Sequence, residues 1–107
     1  MLHQSDENTT FQFIKDLIDA FNEKRDWKRY HTAQNLSVSI CLEASELLEL
    51  FQWGNFNSDS AFTQERLKEE LADVLIYCFC MGNLLNLDLS NIIYKKIQKN
   101  ELKYPCD

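Results

Sequence analysis

Apolar residues recur every three or four positions along most of this chain, which is the spacing of one face of an amphipathic helix. The pattern predicts four helices, over about residues 10–25, 33–53, 63–85 and 89–104. Residues suited to capping a helix start precede three of them: Thr9 or Thr10, Thr32 and Asp88. Gly54 is placed to end the second helix, and the polar residues 55–60 are predicted to form a loop. Only two glycines and one proline are available for the turns of a sheet, so the predicted fold is an all-α four-helix bundle.

The second predicted helix carries acids on a face that should be buried. Its apolar stripe consists of Leu36, Ile40, Leu47 and Leu50. Glu43 falls in the middle of this stripe, and Glu46 lies at its edge, one turn further along. The opposite side is also apolar, with Val38, Cys41 and Leu48. A helix that is apolar nearly all round is expected to be a central one and to contact a second subunit.

The third predicted helix repeats this arrangement. Its apolar stripe consists of Leu67, Leu71, Val74, Cys78, Met81 and Leu85. Glu70 lies on the border of that stripe, with Asp73 and Tyr77 next to it. If the two helices pack together, their acid pairs place four carboxylates in one pocket, where mutual repulsion raises some of the pKa values. A hard divalent cation removes this conflict, and ligands that are all oxygen indicate Mg²⁺ or Mn²⁺ rather than zinc.

A solvated helix face is the alternative explanation for either acid pair taken alone. The fourth predicted helix favours the metal interpretation, because Lys96 and Asn100 fall within its inward face of Leu89, Ile93 and Ile97. Lys96 in that position either extends its amine to solvent or, together with Asn100 and a metal-binding acid cluster, contacts a phosphate-bearing ligand.

Composition and charge narrow the class of partner. The chain of 107 residues has a formal charge of −6, which repels phosphate backbones and counts against polymeric nucleic acid, but not against one nucleotide with its cation. Its four cysteines have no metal-ligand spacing and are expected to be small buried hydrophobes of a reducing compartment. A polar start and a longest apolar run of residues 74–82 indicate a cytoplasmic protein with no membrane span. The expectation is one domain over residues 1–107, with a core of about 10–105, small enough to favour oligomerisation.

Several motifs resemble one known family. EASE at 43–46 and ELAD at 70–73 are separated by twenty-three residues. Around them stand RDWKRYH at 25–31, ELLELFQW at 46–53, EELADVLIY at 69–77 and NELKYP at 100–105. This ordered set resembles the all-α nucleoside triphosphate pyrophosphohydrolases, or MazG-like proteins, and within them the branch that acts on dCTP.

The resemblance implies a helical homodimer or homotetramer that converts a nucleoside triphosphate and water to the monophosphate and pyrophosphate with Mg²⁺. The substrate it suggests is dCTP or a related or modified pyrimidine deoxynucleotide. By position in the motifs, the metal ligands would be Glu43, Glu46, Glu70 and Asp73. The hydrolysis also needs a general base, and a carboxylate that the metal does not fully engage would take the proton of the attacking water; Glu46 is our choice. The base would contact Trp27, His31 and Trp53, and the sugar and phosphates would contact Tyr77, Lys96 and Asn100.

Other interpretations stay open. The same fold can act on dUTP or phosphoribosyl-ATP, or it can be a non-catalytic, metal-binding interaction module. Trp27 and Trp53 also suit residues that seal a core at helix ends, and His31 suits a capping group. Because the whole second helix separates Trp27 from Trp53, we expect a composite pocket in which a neighbouring subunit contributes at least one aromatic residue.

Overall fold

Four α-helices form the chain in the computed structural model, which describes residues 3–54 and 60–106. They are α1 (Phe11–Lys24), α2 (Ala33–Glu49), α3 (Ala61–Leu84) and α4 (Leu89–Lys103), with a short 3-10 turn (Lys28–Tyr30) between α1 and α2. No strand occurs within the described ranges. The prediction of an all-α fold with four helices is confirmed, whereas the loop predicted at 55–60 lies outside the described residues except for Ser60.

Each helix begins at a residue whose side chain caps it. The hydroxyl oxygen of Thr10 accepts a hydrogen bond from the Phe13 amide at 3.0 Å, and Thr32 accepts from Asn35 at 3.0 Å. Asp88 accepts from the amide of Asn91, also at 3.0 Å. These caps confirm the starts of α1, α2 and α4. The start of α3 precedes the predicted one by two residues, because Ser60 provides a cap that the apolar pattern does not reveal.

The predicted end of the second helix is wrong. The α-helix α2 ends at Glu49 instead of near Trp53, because the amides of Leu50, Phe51 and Gln52 bond to carbonyls three residues earlier instead of four. This tighter turn continues to Gly54, whose φ of +69° is a left-handed conformation that glycine adopts without steric cost. Gly54 therefore ends the turn that follows α2, and Trp53 lies on that turn.

Helices α1 and α3 end in the same way, with a left-handed residue that is not glycine. At the end of α1, Asp26 has a φ of +56°, and the next amide, that of Trp27, bonds to the Asn22 carbonyl at 3.0 Å. At the end of α3, Asn86 has a φ of +54°, and the Leu87 amide bonds to a carbonyl of the last turn at 2.9 Å. This Schellman-type ending fixes Trp27 directly beyond the last turn of α1.

The core lies where α1 and α2 both pack against α3. Its buried side chains are Ile18, Leu36, Phe79 and Cys80. The ring of Phe11 meets that of Phe79 edge-on, with a centroid distance of 5.1 Å. Within the chain the central helix is therefore α3, not the second helix as predicted, because α3 alone contacts both of the other two extensively.

The buried face of α3 also differs from the predicted stripe. Leu71 and Leu85 are 47% and 50% exposed, while Phe79 and Cys80 are the most buried apolar side chains of this helix. Because α1 and α2 cover α3 from two directions, the buried side chains of α3 do not follow the single row of leucines that the apolar pattern predicts.

Helix α4 is set apart from the other three. It leaves α3 at a bend of 104°, and none of its residues is buried. The bend brings Leu89 against Gly82, where a Cβ atom would lie 2.9 Å from the leucine side chain. Ile93 and Ile97, predicted to face inward, are about half exposed. Among the described helices none is by itself long and apolar enough to cross a membrane, and α3 and α4 meet that test only as this bent pair.

The expectation of four buried cysteines is wrong for two of them. Cys80 is buried and Cys78 half-buried, but Cys41 and Cys106 are exposed. Cys41 lies on the outer face of α2, which no described part of the chain covers, and Cys106 follows the end of α4. All four are free thiols in the structure.

Candidate functional site

Three carboxylates meet where α2 packs against α3. Glu43 and Glu46 are one turn apart on α2, a spacing that places both side chains on one face. Glu70 approaches them from α3. One carboxylate oxygen from each of the three lies within 4.8 Å of the other two. The structure thus brings together three of the four acids that the motifs suggest as metal ligands.

Two oxygen atoms of this cluster have no compensating donor. Glu43 Oε2 and Glu70 Oε2 are shielded from solvent and have no hydrogen-bond partner among the described residues. The nearest cation is Arg66, whose Nη2 lies 3.9 Å from the other oxygen, Glu70 Oε1. Because a shielded carboxylate oxygen without a donor is destabilising, the cluster has the chemistry of a site for a hard cation.

The crowding also changes the acidity of the cluster. The pKa of Glu46 is raised, first by the hydrogen bond that it shares with Glu43 and then by the charge of Glu43. The pKa of Glu70 is raised first by desolvation and then by Glu46, with Arg66 acting in the opposite direction. Without a cation the cluster therefore holds protons more tightly than isolated carboxyl groups do.

Asp73 lies outside this group of three. It follows Glu70 by one turn of α3 and lines a neighbouring cavity of about 370 Å³. Its negative charge contributes to the raised pKa values of Glu70 and Tyr77. Asp73 thus connects the acid cluster to this cavity, and its role as a metal ligand stays a prediction.

Three of the residues suggested for nucleotide contacts share that cavity with Asp73, namely Trp27, His31 and Tyr77. Trp27 is held in place by the ring of Phe21, which it meets edge-on at a centroid distance of 5.7 Å. Because aromatic side chains and Asp73 line the same cavity, one chain places a surface suited to a base beside a carboxylate.

Burial is the main cause of the shifted pKa values of His31 and Tyr77, the other two suggested nucleotide contacts in this cavity. Desolvation, followed by the charge of Lys28, lowers the pKa of His31, so that its imidazole is neutral at pH 7. Desolvation, followed by the charge of Glu43, raises the pKa of Tyr77, so that its phenol keeps its proton and can donate a hydrogen bond.

The remaining suggested residues lie elsewhere in the chain. Trp53 is 80% exposed on the turn after α2. On α4, Lys96 is exposed and Asn100 is half-buried. None of these three lines the cavity that contains Trp27, His31 and Tyr77. Their roles stay predictions.

Two side chains of this cavity that can form hydrogen bonds, those of Asn22 and Cys80, were not among the residues suggested from the sequence. Asn22 Nδ2 donates a hydrogen bond to Cys80 Sγ at 3.3 Å, and both side chains are buried. The sequence does contain a signal for Asn22, because it follows Ile18 by four residues and so continues the apolar face of α1 with an amide.

Comparisons with known proteins agree with the all-α fold. The model of the MazG-like family matches residues 38–107. A solved structure of a pyrophosphatase from Archaeoglobus fulgidus is 35% identical, with a TM-score of 0.79 over 99% of both chains. The chain therefore belongs to the MazG-like family, as its motifs suggested.

Relatives among characterised proteins point to one branch. The chain is 36% identical to dCTP pyrophosphatase 1 of Homo sapiens over 102 residues, and 35% identical to that of Mus musculus over 101. These matches cover 91% and 90% of this chain but 60% and 59% of the relatives. The chain thus spans about three fifths of the length of the relatives that it matches.

Proposed function

We infer that this chain is a Mg²⁺-dependent pyrophosphohydrolase that converts dCTP, or a related or modified pyrimidine deoxynucleoside triphosphate, to the monophosphate and pyrophosphate. The observation that carries the inference is the cluster of Glu43, Glu46 and Glu70, with its two shielded and unpartnered oxygens, beside the cavity of Trp27 and Tyr77. The acids alone would repel a triphosphate. An acid cluster beside an aromatic cavity therefore suits a nucleotide that arrives with a divalent cation.

The residues present fit such a cation. Glu43, Glu46 and Glu70 would hold it, with Asp73 as a further candidate, and Mn²⁺ would satisfy the same oxygen ligands. When bound, the ion neutralises phosphate charge and makes water more acidic. The unpartnered oxygens of Glu43 and Glu70 support this assignment, because they have no other partner among the described residues.

The reaction breaks the bond between the α- and β-phosphates, and the attacking water must lose a proton. Glu46 is the exposed member of the cluster, so a carboxylate oxygen that the cation does not engage can reach the attacking water, and Glu46 is our candidate general base. Trp27 would stack on the base, with His31 beside it, and the protonated phenol of Tyr77 would donate to the sugar or phosphate oxygens.

The surface of the chain supports a homodimer or homotetramer. A compact monomer of 12.7 kDa exposes about 6,200 Å², whereas this chain exposes 8875 Å². Its radius of gyration is 16.5 Å, compared with about 13 Å for a compact domain of this length. Val38, Leu42 and Leu48 on the outer face of α2 are 53–70% exposed. If a second copy covers this face, Trp53, Lys96 and Asn100 of one copy could contact the nucleotide bound to the other copy.

Pyrophosphate release from a panel of triphosphates tests the proposal. The panel contains dCTP, 5-methyl-dCTP, dUTP, dTTP and phosphoribosyl-ATP, each with Mg²⁺ and with a chelator. We expect pyrophosphate release from the cytosine nucleotides, and only when Mg²⁺ is present without the chelator. Turnover restricted to dUTP or to phosphoribosyl-ATP would move the chain to another substrate of the same fold. No turnover of any nucleotide, with Mg²⁺ binding shown by calorimetry, would support the non-catalytic module instead.

A further inference from the structure

Asn22 is a buried amide that lines the aromatic cavity. Its side chain belongs to a residue that is only 7% exposed, and it lines the cavity of about 370 Å³ that contains Trp27 and Tyr77. It also lines a second cavity of about 250 Å³, together with Asp19 and Lys28. An amide between two cavities is not needed to fill the core, since an apolar side chain of the same size would do so at lower cost.

Only one end of this amide has a partner. Nδ2 donates to Cys80 Sγ at 3.3 Å, which fixes the orientation of the group. Among the described residues, Oδ1 of Asn22 receives no hydrogen bond. The nearby amine of Lys28 is occupied by Asp19, at 3.0 Å. The atom that Asn22 offers to a molecule in the cavity is therefore a hydrogen-bond acceptor.

The charge in the cavity acts in the same direction. Asp73 lines it, so a ligand edge that carries N–H donors is favoured over one that carries only acceptors. Cytosine presents an exocyclic amino group at the position where uracil and thymine present a carbonyl oxygen. An acceptor in a stacking cavity distinguishes these two kinds of base.

We propose that Asn22 is a specificity-determining residue, whose Oδ1 accepts a hydrogen bond from the exocyclic amino group of a base stacked on Trp27. This inference rests on the proposed function and adds to it the atom that selects aminopyrimidine over oxopyrimidine triphosphates. Cys80 is a positioning residue in this arrangement, because its sulfur keeps Nδ2 away from the base.

The first test is internal competition between dCTP and dUTP, which measures the ratio of their kcat/KM values. In Asn22→Leu, which keeps the size of the side chain and removes the acceptor, we expect the preference for dCTP to fall about tenfold to a hundredfold. Asn35→Leu is the matched control, since Asn35 lines the adjoining cavity but is exposed and donates to the Tyr30 carbonyl. Its ratio should be unchanged. An unchanged ratio in a folded, active Asn22→Leu protein would overturn the inference.

The second test changes the substrate and needs no variant. The pyrimidin-2-one analogue of dCTP lacks only the exocyclic amino group, and the unaltered protein should turn it over with a kcat/KM about tenfold lower than that of dCTP. Equal values would overturn the role of Asn22 even if Asn22→Leu does not fold. These results differ from failure of the proposed function, in which the unaltered protein releases no pyrophosphate from any nucleotide and both proposals fall.

Discussion

The acid-bearing seam between α2 and α3, which contains Glu43, Glu46 and Glu70, differs from helix α4 in how much of a binding site one chain can form by itself. In the seam, Glu43, Glu46 and Glu70 converge within 4.8 Å, and two of their oxygens are shielded from solvent. On α4 no residue is buried, and Lys96 is exposed. We therefore propose that side chains of one chain bind the metal and the base, and that the contacts predicted for α4 and Trp53 are made with a second copy.

The largest expected effect is in the seam. In Glu70→Gln, the loss of one charged oxygen ligand should lower dCTP turnover by more than about a hundredfold, since even outer-shell partners of a bound metal contribute 10- to 100-fold. Pyrophosphate release measures this. Glu69→Gln is the matched control, because Glu69 is the adjacent acid and is exposed. Equal activity of the two variants would contradict the assignment of the cluster.

A mixture of two impaired variants, assayed at a dCTP concentration below KM, tests the comparison directly. If Trp53 acts across an interface, then Trp53→Ala and Glu70→Ala chains, refolded together, should regain about a quarter of the unaltered activity, because hybrid dimers contain one intact site. Trp27→Ala mixed with Glu70→Ala should gain nothing above the residual activity of the Trp27→Ala chains, since Trp27 and Asp73, one turn from Glu70, line the same cavity of one chain. Recovery in the second mixture alone would reverse our division of the site.

Local spacing explains which parts of the site the sequence predicts. Glu43 and Glu46, three residues apart, share a face in any helix, so the acid seam follows once two helices pack together. The pairing of Asn22 with Cys80 spans 58 residues and depends on how α1 and α3 pack, which no local pattern contains. The prediction that one face of α4 is buried within the chain was wrong for a related reason. An apolar stripe does not specify whether the surface that covers it belongs to the same copy of the chain or to another.

A smaller effect is expected at Trp27 itself. Stacking of a base on an aromatic side chain contributes about 1–3 kcal/mol, so Trp27→Ala should weaken nucleotide binding about tenfold or more. Mg²⁺ affinity, measured by calorimetry without nucleotide, should stay unchanged because the carboxylates do not contact the indole in the proposed site. A parallel loss of Mg²⁺ binding would show that Trp27 supports the fold of the seam instead.

The acidity of the seam predicts an unusual dependence of stability on pH. Glu46 and Glu70 have pKa values raised above the ordinary 4.5, so the folded protein binds their protons more tightly than the unfolded chain does. The stability from these protons is fully present below pH 4.5 and is lost as the pH rises through the raised values. Thermal unfolding without metal should therefore show these two groups favouring the folded state at lower pH.

Mg²⁺ should reverse this trend. Because it binds the deprotonated carboxylates, its stabilising effect should grow as the pH rises through the same window. Glu70→Gln removes one of the two groups and should flatten the dependence without metal. An identical pH profile in Glu70→Gln and the unaltered protein would contradict the coupling between these carboxyl groups.

The smallest expected effect is at the turn that positions Trp27. Asp26 is left-handed, with a φ of +56°, which costs a non-glycine residue about 1 kcal/mol or more, while glycine in the same place loses about 0.5–1 kcal/mol through the greater freedom of the unfolded chain. Asp26→Gly should therefore change the free energy of unfolding by less than about 1 kcal/mol, measured by urea denaturation. Its ion pair with Arg29, 3.3 Å long, is exposed and contributes little.

The Asp26→Gly variant tests whether the side chain of Asp26, in addition to its backbone conformation, positions Trp27. Asn86→Gly makes the equivalent change at the end of α3, away from Trp27, and controls for the backbone effect alone. If the Schellman-type ending is sufficient to place the indole, the KM for dCTP should be the same in both variants, because the Trp27 amide still bonds to the Asn22 carbonyl. A KM that rises only in Asp26→Gly would show that the side chain at 26, and not the turn, holds Trp27 over the cavity.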